Sequence, residues 1–175
     1  MKITKVEAIP VRQKGEVQLI NDSAQDGIII KVHTDEGIVG YGEVDSSPLV
    51  VKAVIEAPVS HRICRGLAGV VVGEDPFEVE KIWEKMYLAS MFYGRRGVVI
   101  HAMSGIDIAI WDIIGKALNK PLYQVLGGSF RSKVRAYAST LMPYTPEESY
   151  AETLKCCEAG YTAVKLGWGG FELGI

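Results

Sequence analysis

The sequence is poor in the features that mark specialised environments. It has three cysteines, Cys64, Cys156 and Cys157, and no CxxC pair. That excludes a disulfide framework and points to a reduced compartment. It has no basic excess: 19 Lys and Arg stand against 21 Asp and Glu, for a net charge of -2. The electrostatic footprint of a nucleic-acid or anionic-membrane binder is therefore missing. No apolar run approaches the ~20 residues of a membrane span. The opening MKITKVEAIPVRQKGE alternates charged and apolar residues, unlike a secretory leader. His33, His61 and His101 are too far apart for a zinc pattern. There is no G-x-S-x-G elbow, and Gly40-Tyr41-Gly42 lacks the third glycine of a dinucleotide fingerprint. The expectation is a cytoplasmic protein that binds neither nucleic acid nor membrane.

What is present is the composition of a folded chain. Of 175 residues, 48% are hydrophobic and 23% charged, and the mean hydropathy is +0.14, which excludes intrinsic disorder. Ile3 to Gln13 alternates loosely and reads as a strand. Lys14 to Gln25 is polar and reads as a loop. Gly27 to His33 and Ile38 to Val44 are β-branched or alternating runs joined by Thr34-Asp35-Glu36-Gly37, so the start is an antiparallel sheet with a hairpin.

The pattern then turns helical. Ser47-Pro48 is a cap followed by an N1 proline, opening a helix to Ala57, which Pro58 should stop. Asp75-Pro76-Phe77-Glu78 is a second start signal. Behind it Val79, Ile82, Trp83, Met86, Tyr87 and Ser90 fall on one helical face. Val98 to Leu118 is apolar over most of its circumference. Its main stripe is Ile106, Ala109, Ile110, Ile113 and Ala117, widened by Ile108, Trp111 and Leu118; such a helix packs between other elements. Asp112 and Lys116, four apart, can pair along it. Pro121 to Leu126 is a short turn ending in Gly127-Gly128.

From Lys133 the grammar changes again. Lys133 to Thr140 is a strand, Thr145 caps a helix ending before Gly160, and Tyr161 to Leu166 is a second strand. Strand, helix, strand with tight loops is a βαβ unit with parallel, adjacent strands. One such unit leaves bare strand edges and an uncovered face. The chain is thus expected to stop, at Ile175, inside a larger architecture.

Most chemistry-bearing residues have structural readings. Asp35-Glu36, Glu43 with Asp45, and Glu74-Asp75 suit solvated turns or helix caps. The histidines suit strand or helix surfaces. Cys156 and Cys157 follow Lys155 in a helix with no histidine nearby and suit a structural role. Arg95-Arg96 is a loop charge pair, or a seat for a carboxylate or phosphate. Lys165 stands apart: it lies near the C-terminal end of a parallel strand, where a (β/α)8 barrel builds its active site. Its plain alternative is a rim salt bridge.

The segment 101–128, HAMSGIDIAIWDIIGKALNKPLYQVLGG, resembles the signature of the enolase superfamily, in the branch of mandelate racemase and muconate lactonizing enzyme. KITKVEAIPV, GIVGYGEV, GEDPFEVEKIWEKMY and KVRAYAST agree with it, so the resemblance covers essentially the whole chain. It implies an α+β capping domain, an antiparallel sheet plus a helical bundle, over residues 1–128. The first strands of a (β/α)8 TIM-type barrel, incomplete in this chain, follow over 129–175.

The chemistry the resemblance implies is abstraction of the proton α to a carboxylate, with Mg²⁺ stabilising the enediolate. The metal ligands lie on the third to fifth barrel strands, so none is expected in this chain. Lys165 matches the first lysine of a Lys-x-Lys motif and is the candidate catalytic residue, polarising the substrate carboxylate or modulating the base. Gly167 stands where the second lysine would be. Mobile cap loops match Lys14 to Gln25 and Val44 to Ser47, giving Lys14, Asn21, Asp22, Asp45 and Ser46 as candidate substrate-binding residues. The implied substrate is a small carboxylate or sugar acid, and the implied assembly a homo-oligomer. The leading expectation is the N-terminal portion of a Mg²⁺-dependent acid-sugar dehydratase. Its rivals are a racemase, epimerase or cycloisomerase of the same superfamily, and a non-catalytic fragment lacking metal ligands and base.

Overall fold

The computed structural model describes residues 1–14 and 26–167. They fall into two compact units: 1–14 with 26–128, and 129–167.

The first unit starts with three antiparallel strands in the order β1 (Ile3–Arg12), β2 (Asp26–Thr34) and β3 (Val39–Val44). Alternation sets the register. Ile28, Ile30, Val32 and Thr34 of β2 are buried, with Val6 and Ala8 on one side and Gly40, Gly42 and Val44 on the other. A one-residue slip would turn that whole set to solvent, which pins the pairing Ala8↔Ile30↔Gly42. Thr34 closes the hairpin: its hydroxyl donates to the Ile38 carbonyl and accepts from the Ile38 amide. Gly37 takes the left-handed conformation that the turn requires (φ 80°).

Five helices follow: α1 (Pro48–Glu56), α2 (Ala68–Val71), α3 (Val79–Ala89), α4 (Val98–Ala117) and α5 (Leu122–Val125), with a 3₁₀ turn at Ser90–Phe92. The core joins the inner sheet face to Val51 and Ile55 of α1, Ile82 and Met86 of α3, and Met103, Ile106, Ala109, Ile110 and Ile113 of α4.

Three local expectations need correction. Ser47 precedes α1 as predicted, but its side chain caps nothing. Asp75 does not open α3: its carboxylate accepts the Phe77 amide at 3.1 Å, Pro76 and Phe77 form a turn, and the helix begins after Glu78. On α4 Ile106, Ala109, Ile110 and Ile113 of the main stripe are buried and Ala117 is half-buried, but Ile108 is 50% and Leu118 48% exposed, because the sheet covers only one side of the helix. At 20 residues α4 also has the length and composition of a membrane span, contrary to the expectation that no apolar run approaches one. Its burial against the sheet accounts for its apolarity.

Contact between β3 and α4 is backbone to backbone. A Cβ at Gly40 would fall 2.7 Å from Ile113 Cγ1 and well inside contact distance of the Ala109 carbonyl oxygen. One at Gly42 would collide with the Gly105 carbonyl, and one at Gly105 with Val44 and Ile30. These glycines are set by space, not by dihedral angle.

Both sheet edges are closed by a lysine–carboxylate pair one helical turn apart. On α1, Glu56 accepts the Ala8 amide at 3.0 Å and Lys52 donates to the Ala8 carbonyl at 2.8 Å, while the two side chains pair at 2.6 Å. On α4, Asp112 accepts the Tyr41 amide at 2.9 Å and Lys116 donates to the Val39 carbonyl at 2.7 Å, again with a 2.6 Å pair. An exposed (i, i+4) pair contributes only about 0.3–0.5 kcal/mol. Here the pairs also satisfy edge amides and carbonyls that would otherwise invite another strand. Burial works against the charge on Glu56, but the Lys52 and Ala8 hydrogen bonds outweigh it and hold its pKa below the usual carboxylate value.

In the second unit β4 (Ala138–Leu141) and β5 (Val164–Gly167) are parallel and adjacent, joined through α6 (Pro146–Glu158). The capping box is complete: the Thr145 hydroxyl accepts the Glu148 amide and the Glu148 carboxylate accepts the Thr145 amide, both at 3.1 Å. Both strands are shorter than expected. Residues 133–137 and 161–163 do not pair as strands; instead Arg135 bridges to the Thr162 hydroxyl at 2.8 Å and its carbonyl at 2.7 Å.

Gly42→Val is expected to destabilise the protein by about 1–3 kcal/mol, read from urea unfolding, because the overpacked contact is backbone on both sides. On the outer sheet face, hydrogen bonds from Lys5 and then His33 hold the Glu7 carboxyl down to about 2. Its contribution is present above the ordinary value of 4.5 and is lost as pH falls toward 2. Glu7→Gln should therefore flatten the acid limb of stability against pH, and an NMR titration of Glu7 near 4.5 would contradict the pairing.

Candidate functional site

Lys165 is the second residue of β5 and is exposed. The parallel register places it beside Ser139 of β4. Paired residues share a sheet face. Ala138, Thr140, Val164 and Leu166 make the half-buried face, while Ser139, Leu141 and Lys165 on the opposite face are exposed. Gly167 lies two residues beyond Lys165 on that same face. Among the described residues, a Cβ there would meet only Lys165 Cε, at 4.0 Å. Nothing in the backbone demands glycine, so the missing second lysine leaves open space beside the first. This face offers one cation, one hydroxyl and room for a small anion. Sequence reasoning missed Ser139, which sits unmarked in a short strand; only the register makes it a neighbour of Lys165.

The cap-loop candidates belong to the first unit. β1 and β3 run in the same direction on either side of β2, with Arg12↔Asp26 and Ile28↔Val44 at one end of the sheet. Lys14, exposed just after β1, and Asp45 and half-buried Ser46, just after β3, therefore emerge at the same sheet end. Asn21 and Asp22, with most of the Lys14 to Gln25 loop, lie outside the described residues.

Among the described residues, no group of three or more His, Cys, Asp or Glu could hold a metal ion, so these residues do not fit a Mg²⁺ site. The carboxylates of interest have other partners. Asp35 accepts the Lys2 amide at 2.7 Å. Glu74 is held below the usual carboxylate pKa, chiefly by Lys85 and further by Lys81, against the opposing effect of burial.

His33 bonds Glu7 at 2.6 Å and His101 is exposed on α4. His61 is on neither strand nor helix: it sits in a tight turn, its ring edge-on to Phe92 at 5.3 Å. All three cysteines are free thiols. The Arg95 guanidinium stacks 4.9 Å above the Tyr87 ring. On α4, burial and then the nearby Glu80 raise the pKa of half-buried Asp107; its only sequence signal is an acid inside an apolar stretch. A cleft of about 460 Å³ at the end of α4 is lined by Asp112, Lys116, Asn119, Lys120 and Leu122, with two of these already spent on the β3 edge.

Comparison with known proteins agrees with this architecture. A curated D-galactonate dehydratase of Pectobacterium atrosepticum is 38% identical over 150 residues, 85% of this chain and 36% of that protein. An arabinonate dehydratase of Saccharolobus solfataricus is 38% identical over 148 residues, 85% of this chain and 37% of that one. The chain thus spans little more than a third of these relatives. Among solved structures, a member of the enolase superfamily from Polaromonas sp. JS666 superposes with a TM-score of 0.76 at 37% identity, over 95% of this chain and 44% of that one. The 3,6-anhydro-D-galactonate cycloisomerase of Zobellia galactanivorans gives 0.76 at 32% identity, over 95% and 42%. The family model described as mandelate racemase / muconate lactonizing enzyme, N-terminal domain, matches residues 4–127, and the chain belongs to that family.

Proposed function

We propose that this chain is the N-terminal portion of an enzyme that removes the proton α to a carboxylate, acting as an acid-sugar dehydratase. In this reading residues 1–128 are the capping domain and 129–175 the start of the barrel. The observation that carries it is the exposed face shared by Lys165 and Ser139, in a chain whose similar curated proteins include dehydratases of galactonate and arabinonate.

On that face the Lys165 ammonium holds the substrate carboxylate and the Ser139 hydroxyl donates a second hydrogen bond. Both interactions strengthen as the α-proton leaves and charge builds on the carboxylate oxygens. Gly167 leaves Lys165 without a neighbouring lysine, so Lys165 orients and polarises while another group takes the proton. The described residues supply no Mg²⁺ ligand set. This reading therefore places the ion and the base on polypeptide outside them. Lys14, Asn21, Asp22, Asp45 and Ser46 are, in this reading, the cap residues that contact the substrate. The whole protein acts in the cytoplasm on a free sugar acid, as a homo-oligomer, without nucleic acid or membrane. A cycloisomerase reading is favoured by the likeness to the Zobellia structure, and a racemase reading by the likeness to a putative mandelate racemase of Bordetella bronchiseptica.

In the complete protein, Lys165→Ala is expected to lower kcat/KM for a sugar acid by about 10- to 100-fold, the worth of a charge-assisted hydrogen bond. Turnover near that of the parent protein would reject the role. Incubation in D₂O separates the activities: a dehydratase releases a 2-keto-3-deoxy acid, whereas an isomerase exchanges or rearranges the substrate without losing water.

A further inference from the structure

One cation of the first unit rests on a ring and on no acid. The Arg95 guanidinium stacks 4.9 Å above the Tyr87 ring, and the residue is half-buried. Its Nε is sealed from solvent and finds no hydrogen-bond partner, the one buried side-chain nitrogen or oxygen so placed among the described residues. The two Nη nitrogens are not sealed in this way. A charged N–H cut off from water with no acceptor is costly, so the positive charge gains from an anion on the nitrogens that stay within reach. The stack fixes the guanidinium plane, and with it the direction of that fork.

The neighbouring chain supplies no such anion. Lys85 to Ile106 contains no Asp or Glu, and neither does Ala57 to Gly73. These segments pack together: the His61 ring meets Phe92 edge-on, and the Tyr93 hydroxyl donates to the Arg65 carbonyl at 2.9 Å. Among the described residues none of Arg62, Arg65, Arg95 and Arg96, which the two segments carry, takes part in an ion pair. The charges of α3 do not alter this. Lys81 and Lys85 both pair with Glu74, and Glu84, exposed one turn before Tyr87, forms no ion pair with Arg95. Arg96 is exposed beside Arg95, and α4 opens after Gly97 with no side-chain cap and no acid in its first turn. Its leading amides add donors and positive partial charge behind the arginines.

We propose that Arg95 seats a phosphate group, free or esterified on a small molecule. The two Nη nitrogens take two of its oxygens in the guanidinium plane, while Tyr87 supports the face of that plane. Charge selects phosphate over a monocarboxylate. Two adjacent arginines and the leading amides of α4 match a group with nearly two negative charges and three acceptor oxygens better than one with a single charge. The site is independent of the reaction assigned above, since Arg95 has no part in it.

The test is calorimetric titration of the complete protein with inorganic phosphate, with acetate and with glycerol 3-phosphate, at ionic strength held constant with NaCl. Phosphate is expected to bind at least ~10-fold more tightly than acetate. An ester that binds more tightly than free phosphate would make the ligand a phosphorylated small molecule, and a weaker one would make it phosphate itself; both support the site. Arg95→Lys keeps the charge but loses the fork, and should weaken phosphate at least ~10-fold and abolish the rise in Tm that phosphate gives the parent. Arg96→Gln, at an exposed position, should weaken it by a smaller factor, ~3-fold. Melts without phosphate check that both variants fold. Glu84→Gln should tighten phosphate by no more than ~3-fold; a larger gain would make Glu84 the partner of the guanidinium and overturn the proposal. Phosphate binding equal to that of acetate would overturn it too. So would binding that survives Arg95→Lys, or that is lost in Lys165→Ala instead, which would assign the anion to the exposed face of β5.

Discussion

The close approach of β3 to α4 is the constraint on which the first unit depends. Gly40 and Gly42 bring a strand within backbone contact of Ala109 and Gly105. At that distance Asp112 and Lys116 can reach the outer amide and carbonyl of β3. The same geometry buries Met103, Ile106 and Ile110 against the inner sheet face. A single added carbon would separate the layers and release both the apolar contact and the edge hydrogen bonds. Packing and polar satisfaction are therefore one event here, not two additive terms.

The mirrored arrangement on α1 shows that edge protection is general in this sheet. Lys52 and Glu56 do for Ala8 what Lys116 and Asp112 do for Val39 and Tyr41. Each pair is a weak helix-surface interaction by itself. Its value lies in occupying backbone groups that no strand of this sheet reaches, which holds the sheet at three strands. The sheet ends stay open, and the segments that follow β1 and β3 leave from the same one. The cap can therefore present loop residues there without disturbing its edges.

The second unit is spare over its described residues: two four-residue strands and one helix. Its strands pair only over Ala138–Leu141 and Val164–Gly167, since backbone donors beyond the partner's reach must find other acceptors or water. Among the described residues α6 packs against β5, and the Ser139–Lys165 face stays exposed. A face of this kind can bind a charged ligand, because Lys165 keeps its ammonium accessible and committed to no acid among the described residues.

Much of this was legible in the residues. Alternation in Gly27 to His33 and Ile38 to Val44 set the hairpin, because a period of two has only one buried face. Thr145 and Glu148 announced α6, because a capping box is a local bond pattern. The 101–128 signature marked the family, and the βαβ pattern placed Lys165 on a parallel strand. Other features had no one-dimensional trace. Asp75 looked like a cap until Pro76 and Phe77 turned the chain. Ile108 and Leu118 looked buried because the apolar pattern of a helix does not say how much of it a neighbour covers. Ser139 became a neighbour of Lys165 only through their register, and the glycines of β3 acquired their meaning only against the α4 backbone. Local bonds and periodicities are written along the chain. Close approaches, edge satisfaction and the pairing of distant side chains arise when separate segments meet, and only the folded structure decides them.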